Sequence, residues 1–532
     1  MCGILAVIGK ADLERTLELS ALQSHRGPDE RDYHQFEDGS ILCHERLAII
    51  DLNTGKQPIQ GSKDAYIIHN GEIYNHESLK KDYFKDVTFR TKSDSEIILR
   101  MYEVFGKDCI DQLDGVFAFV IKDGDGFLAA RDAIGVKSMY YGKDAYGNWY
   151  FSSEMKSIAP QCEWVKAFPP GHYLSEKDAE PQQWFTPEWL DHTKAKKEKD
   201  LELIRTSLID ATEKRLMSDV PLGVLLSGGL DSSLTSSIAA RALRKKGIQL
   251  HSFSIGLDKS APDLKAARKV AEFIGTVHHE VHFTVAQGLE VLDKLIYHLE
   301  TYDVTSVRAS TPMYLLSEYI KKQGISVVLS GEGADEILGG YLYFSNAPSL
   351  EEFQKETIRR VQKLSTADCL RADKSTMAHG IEARVPFLDK HFLKTAILVD
   401  PVYKKGDQSR GILEKHILRE AFDTKKDPYL PEEVLWRQKE QFSDGVGYSW
   451  IDELKKHCES QVTDEEMSRA AELFPINTPT SKEALFYRKI FAKHFPGEST
   501  AQTVKKWIPK WQSNTDPSGR ASELHEKSYQ AI

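Results

Sequence analysis

Near the middle of the chain an apolar run, Val224-Leu225-Leu226, passes directly into Ser227-Gly228-Gly229-Leu230-Asp231-Ser232-Ser233. Leu234, Ile238 and Ala242 then follow at four-residue intervals. This succession of strand, glycine-rich turn and helix restricts the fold more than any other feature. A strand that feeds a helix through so short a turn belongs to a parallel sheet covered by helices. The glycines let the backbone approach a phosphate, and the helix start offers unpaired N–H groups and positive potential. No Gly-Lys-Ser/Thr ending follows, so the turn is not a Walker A loop. Residues 250–257 and 326–329 read as further buried strands beside helical segments, and the chain from about Glu351 is mainly helical in pattern.

The first 190 residues have another character. Residues 4–8, 41–43, 46–51, 66–69, 116–122 and 127–131 are short apolar or β-branched runs separated by Gly-, Asn- and Asp-rich turns. Only 13–23 and 95–105 carry apolar residues at helical spacing, as in Ile97, Ile98, Met101, Tyr102 and Phe105. Sheets with a few helices between them predict an α+β layered domain. Residues 191–200 form a solvated, charge-rich stretch, which places a boundary there. The expected arrangement is a layered α+β domain over 2–190 and an α/β domain over 200–532, ending in a polar tail of about twenty residues.

Charge and cysteine usage exclude several function classes. The 80 acidic against 70 basic side chains leave a net charge of −10, which disfavours sequence-independent nucleic-acid binding. The longest apolar run, residues 116–121, is far too short to span a membrane, and no secretory signal is visible at the start. The six cysteines, at 2, 43, 109, 162, 369 and 458, show no close pair of metal-ligand spacing, so a cytoplasmic protein with reduced thiols is expected.

One of those cysteines has a special position. Cys2 and Gly3 are small, which favours removal of Met1, and the mature chain would then begin with a thiol beside a free α-amine. An α-amine titrates at about 7.7–8.0, so it can act as general base on its own side chain. Arg46 could grip a carboxylate through its planar fork. Asn70 and Gly71 could supply amide donors to an oxyanion, and Asp94 could pair with an α-ammonium. Each residue also has a structural alternative: an ion pair for Arg46, a hairpin turn for Asn70-Gly71, and a helix N-cap for Asp94.

The segments Met1-Cys2-Gly3-Ile4, His25-Arg26-Gly27-Pro28-Asp29, His44-Glu45-Arg46-Leu47, Asn70-Gly71-Glu72-Ile73-Tyr74-Asn75 and Asp132-Ala133-Ile134-Gly135 resemble the N-terminal-nucleophile (Ntn) glutamine amidotransferases. The resemblance implies that Cys2 attacks the glutamine side-chain amide and releases ammonia. Arg46 and the backbone of Leu47, Ala48, Ile49 and Ile50 would hold the carboxylate region. Asn70 and Gly71 would form the oxyanion hole, while Glu72 and Asp94 orient the substrate. Relatives continue Trp-Ser-Gly where this chain has Glu30-Arg31-Asp32.

A second cluster, Ser330-Gly331-Glu332-Gly333-Ala334-Asp335-Glu336, follows a buried-strand run. Glu332 and Asp335 are candidates for magnesium or intermediate contacts, or else simply acids favoured at a helix start. Lys439, in Trp436-Arg437-Gln438-Lys439, could neutralise charge at a phosphorus centre or stand as a solvated lysine. With the segments 227–233, 302–312, 330–343, 382–390 and 436–450, the whole chain resembles glutamine-hydrolysing asparagine synthetases. That likeness implies ATP and Mg²⁺, with aspartate and glutamine as co-substrates. Leu225, Leu226, Ile255, Ser330 and Gly331 would line the adenosine pocket, and Ser227, Gly228, Gly229, Asp231 and Ser232 would bind pyrophosphate. Asp231 and Asp335 would meet the metal. Glu332, Arg308 and Lys439 would serve the chemistry of an aspartyl-adenylate. A homo-oligomer, a dimer by the same likeness, is expected, with neither nucleic acid nor membrane as partner.

Three rivals are distinguishable. A β-lactam synthetase shares the ATP fold but lacks a working N-terminal Cys. A non-catalytic regulator would be expected to lose Cys2, Asp231 or Glu332, and none is lost. A tRNA-modifying enzyme with the same loop is disfavoured by the net charge and would show salt-dependent tRNA binding.

Overall fold

A computed structural model of the chain describes residues 2–259, 261–439, 446–447 and 449–511, apart from the side chains of Pro262 and Gln408. Met1, residues 440–442 of the segment after Trp436, and the expected polar tail beyond Trp511 lie outside the described residues.

Two six-stranded sheets with antiparallel pairing build the N-terminal part. One holds β1 (Gly3–Ile8), β2 (Glu30–Gln35), β3 (Ile41–Arg46), β8 (Tyr140–Lys143), β9 (Trp149–Ser152) and β10 (Trp164–Ala167). The other holds β4 (Ile59–Gln60), β5 (Tyr66–Ile73), β6 (Gly115–Asp123), β7 (Gly126–Arg131), β11 (His172–Ser175) and β12 (Gln182–Gln183). Their side-chain alternation explains the layering. In β1, Ile4 and Ala6 pack with Ala118 and Val120 of β6 between the sheets, whereas Leu5 and Val7 pack outward against Leu19. In β6, Phe117, Phe119 and Ile121 face outward onto Ile97, Ile98 and Met101 of the Ser95–Phe105 helix. Strands apolar on both faces need covering twice, and a helix–sheet–sheet–helix stack results.

The C-terminal part holds a sheet of order β15-β14-β13-β16-β17, with every neighbouring pair parallel. Its strands are β13 (Leu222–Leu225), β14 (His251–Gly256), β15 (Val277–His282), β16 (Val327–Leu329) and β17 (Glu382–Arg384). Val224 and Leu329 face the Leu201–Glu213 and Leu230–Lys245 helices; Phe253, Ile255 and Val328 face the Val304–Lys322 helix. Asp200 opens the C-terminal part by accepting the Leu203 N–H as an N-cap.

Some elements differ from expectation. The run 46–51 is not a strand: β3 stops at Arg46, and Asp51 has a positive φ of 55°. Leu47 and Ile49 instead bury their side chains with Val327 and Met377 across the junction of the two parts. The first helix ends at Ala21 rather than 23. The Glu30-Arg31-Asp32 departure lies in β2, paired with β3.

The junction is polar as well as apolar. Met155 and Lys156 donate their N–H groups to Glu300 at 2.7 and 2.8 Å, and Lys390 Nζ donates to the Leu113 carbonyl at 2.6 Å.

Candidate active sites

Cys2 lies buried where β1 begins, and three contacts fix it. Its backbone N–H donates to Asn70 Oδ1 at 2.9 Å, its carbonyl accepts from Arg26 Nε at 3.1 Å, and its Sγ lies 3.9 Å from the Leu47 carbonyl oxygen. Burial pushes the thiol's titration up, against the pull of nearby positive charge. With Oδ1 engaged, Asn70 Nδ2 is left buried and without a hydrogen-bond partner among the described residues. A buried amide donor that finds no protein partner is a group waiting for an acceptor. Gly71, next to it, has φ +153°, and a Cβ there would lie 2.1 Å from the Val116 carbonyl oxygen. Only glycine fits this close approach of two strands.

The other expected glutamine contacts surround this point. Arg46 donates to Glu30 and to the Asp51 carbonyl, both at 2.6 Å. Glu30 is partly exposed, so an incoming carboxylate could take its place. Ala48 is tied by its N–H to Asp29 at 2.8 Å, and Ile49 accepts from Asp219 N–H at 3.0 Å, which holds the 47–50 backbone between the two parts of the chain. Asp94 does not cap its helix: its carboxylate accepts the Ile73 N–H at 2.7 Å instead. Burial raises both Asp94 and Glu72, and Glu72 Oε2 has no partner among the described residues. Buried His44 and His69 are held by burial at about 3, so neither is protonated at neutral pH.

A second cleft, about 1460 Å³ with its open mouth included, sits at the C-terminal ends of β13, β14 and β16. Leu225, Leu226, Ser227, Gly228, Gly229, Asp231, Ser232, Ile255, Ser330, Gly331, Glu332, Asp335 and Lys439 all line it. Ser227 Oγ and Ser232 Oγ lie 2.9 Å apart across the turn. Gly228 has φ +78°, and a Cβ on it would lie 2.6 Å from the Ala267 nitrogen. The Leu230–Lys245 helix begins without a side-chain cap, so its first N–H groups face the cleft.

Charge is organised around two carboxylates. Lys415 Nζ bridges Asp231 at 2.5 Å and Asp335 at 2.8 Å, and Lys439 Nζ reaches the other Asp335 oxygen at 2.8 Å. Burial would raise Asp335, but the two ammonium groups outweigh it and hold the carboxyl well below its usual range. Asp335 is therefore saturated by cations. Asp231 Oδ1, in contrast, is buried with no partner among the described residues, which leaves one oxygen that fits Mg²⁺ together with phosphate oxygens. Among the described residues no group of three metal-ligating side chains occurs. Glu332 pairs with Arg371 at 2.6 Å, and burial raises its carboxyl against that guanidinium.

Arg308 is the exception among the expected residues. It does not line the cleft; its Nε and Nη2 fork onto Glu483 at 2.8 and 2.6 Å, in a well-buried pair. Several residues with site contacts escape a reading of the sequence: Arg371, Lys415, and the pair Glu382 and Arg384 on β17. Arg384 meets Glu72 at 3.2 Å. Their partners lie far away along the chain, so no local spacing signals them. The segment 382–390 carries a family likeness, and that alone could have pointed to the last two.

Both parts of the chain match known families. Residues 1–183 match a family model described as a glutamine amidotransferase domain, and residues 203–353 and 346–515 match one described as asparagine synthase. The chain is 49% identical over 555 residues to an asparagine synthetase (glutamine-hydrolyzing) of Zea mays, covering 99% of this chain and 94% of that protein. It is 51% identical over 557 residues to asparagine synthetase (glutamine-hydrolyzing) 1 of Arabidopsis thaliana, covering 99% and 95%. A probable asparagine synthetase (glutamine-hydrolyzing) of Dictyostelium discoideum is 50% identical over 554 residues, covering 99% of each chain.

Proposed function

This chain belongs to the glutamine-hydrolysing asparagine synthetases, and we infer that it makes asparagine from aspartate with nitrogen from glutamine and energy from ATP. Residues 2–190 would act as the glutaminase and 200–532 as the synthetase. At the first site the Cys2 thiol attacks the glutamine amide carbon, and its proton passes to the free α-amine. Neighbouring His44 and His69 are too weakly basic for that role. The oxyanion that forms takes the open Nδ2 of Asn70 and the Gly71 backbone as donors. Ammonia leaves, and water then releases glutamate from the thioester. Arg46, the 47–50 backbone, Glu72 and Asp94 hold the amino-acid end.

At the second site the aspartate side-chain carboxylate attacks the α-phosphorus of ATP, which gives a β-aspartyl-adenylate and pyrophosphate. Ammonia displaces AMP from that intermediate, and one proton is lost. The turn Ser227–Ser232 and the open helix start receive phosphates, Lys439 and Lys415 balance their charge, and Glu332 faces the reacting carboxylate. Bound Mg²⁺, held by Asp231 with phosphate oxygens, would supply charge neutralisation at the leaving pyrophosphate. Asp335, saturated by two lysines, orients them rather than the metal. Leu225, Leu226, Ile255, Ser330 and Gly331 would take the nucleoside.

One observation supports this most: an open amide donor beside a buried thiol in one part of the chain, and a lysine-bridged carboxylate pair at an uncapped helix in the other. No helix among the described residues is long and apolar enough to cross a membrane. A cytoplasmic homo-oligomer completes the reading. Incubation with aspartate, glutamine and MgATP should yield asparagine and glutamate together; glutamate without asparagine would refute it.

A further inference from the structure

The helix Asp368–Met377 touches both sites through residues two apart. Arg371 pairs with Glu332 in the ATP cleft at 2.6 Å. Asp373 instead faces the N-terminal part, where its carboxylate accepts Arg26 Nη2 at 3.2 and 3.1 Å and Ser138 Oγ at 2.7 Å. The same Arg26 donates its Nε to the carbonyl of Cys2 at 3.1 Å. A chain of direct contacts thus runs from the nucleophile's own backbone, through one guanidinium and one helix, to the carboxylate beside the nucleotide.

The physical character of this chain is unusual for a simple staple. Arg26 is wholly buried and Asp373 nearly so, with Glu154 as the guanidinium's second anion at 3.2 Å. A buried ion pair contributes little net stability against apolar residues of the same volume, whereas its geometry is strict. Residues two apart on a helix project to different sides, so this one helix meets Glu332 through Arg371 and Arg26 through Asp373. A displacement of Glu332 would be passed through Arg371 to this helix and so to Asp373. Next to Asp373, Lys374 binds Tyr140 at 3.1 Å and also Glu300, which fastens the helix end to the same face.

We propose that Arg26 and Asp373 are positioning residues that couple the two sites: ligands in the ATP cleft set the alignment of Cys2 through the Asp368–Met377 helix. This rests on the two-site reading above. Coupling between sites is reciprocal, so a glutamine analogue at Cys2 should change nucleotide affinity by the same factor by which nucleotide and aspartate change the affinity for that analogue.

The test uses the full chain and Asp373→Asn, which keeps the shape and removes the charge. Glutamate release is measured with and without MgATP plus aspartate, alongside asparagine made from ammonia. In the unaltered protein, glutamate release depends on the ligands of the other site. In D373N that dependence falls by at least about half and more glutamate is lost per asparagine, while ligand-free glutaminase and ammonia-dependent synthesis each stay within about two-fold, as expected of a residue outside both sites. A purely structural role would lower all three measured rates together. An unchanged ligand dependence in D373N, or no dependence in the unaltered protein, overturns the proposal. Should D373N fail to fold, Ser138→Ala removes one bond to the same carboxylate and must weaken the dependence in the same direction, or the proposal falls. Failure of the unaltered protein to make asparagine from glutamine would instead refute the functional reading.

Discussion

Arg384, on the edge strand of the parallel sheet, reaches across to the buried carboxylate of Glu72, next to Gly71, at 3.2 Å. The same guanidinium donates to the carbonyls of Arg215 (2.7 Å) and Met217 (2.5 Å) and pairs with Glu382. A side chain from the C-terminal part therefore balances charge at Glu72 in the N-terminal part. Burial and Glu382 raise the Glu72 carboxyl, and Arg384 opposes them.

Arg384→Met removes the guanidinium that opposes burial and Glu382, so the Glu72 carboxyl should rise further and hold the amino end of glutamine less well. Removing one partner of a buried pair costs about 3–5 kcal/mol, so a lower melting temperature is expected as well. The diagnostic readout is a rise in KM for glutamine with little change in KM for ammonia. Equal effects on both nitrogen sources would contradict it.

Asn70→Ala should act on the chemical step. Loss of one oxyanion donor typically costs about 10²–10³ in kcat, and the KM for glutamine should move far less. Glutamate release under saturating glutamine gives the answer, and a loss below about ten-fold would remove Asn70 Nδ2 from the oxyanion site.

Much of both candidate sites is legible in the sequence. Cys2, Asn70 and Gly71 carry short-range signals, as does the strand–turn–helix at Ser227, and the Ser95–Phe105 helix shows its period plainly. Other features depend on contacts distant in sequence. β15 reads Val-His-His-Glu-Val-His and lies at a sheet edge, so it lacks the apolar run that marks a strand. β17 has three residues, two of them charged and fully buried, and only pairing with β16 makes it a strand. The run 46–51 misleads in the opposite sense, since its β-branched residues are spent on packing across the junction rather than on a sheet. Arg308 carried a family likeness, yet its packing against Glu483 turns it from the cleft.

Glu332→Ala and Lys439→Ala should each abolish asparagine synthesis with either nitrogen source, while glutamate release at Cys2 survives. Each removes a preorganised charge worth about 10²–10³ in rate. Aspartate-dependent exchange of labelled pyrophosphate into ATP separates the steps. Near-normal exchange without asparagine would place Lys439 after adenylate formation, and near-normal synthesis in both variants would place the chemistry elsewhere.

Asp389 offers a test by pH. Burial would raise its carboxyl, but Arg215 at 2.9 Å and Lys214 outweigh burial and hold it well below the usual range. A carboxyl depressed in the folded state contributes stability that is present above its unfolded value of about 3.9 and lost as pH falls toward its folded value. Asp389→Asn should thus melt lower at neutral pH and lose less melting temperature between about pH 5 and about pH 3 than the unaltered protein. Parallel curves would contradict the assignment.

On the proposed function, ammonia is made at one site and consumed at another. The most direct measurement is asparagine synthesis by Cys2→Ala with MgATP and aspartate, supplied first with glutamine and then with ammonium salt. Cys2→Ala should give no asparagine from glutamine and a rate from ammonia within about two-fold of the unaltered protein, because Cys2 is not among the described residues that line the cleft. Equal loss of both activities, or full retention of the glutamine-dependent one, would contradict it.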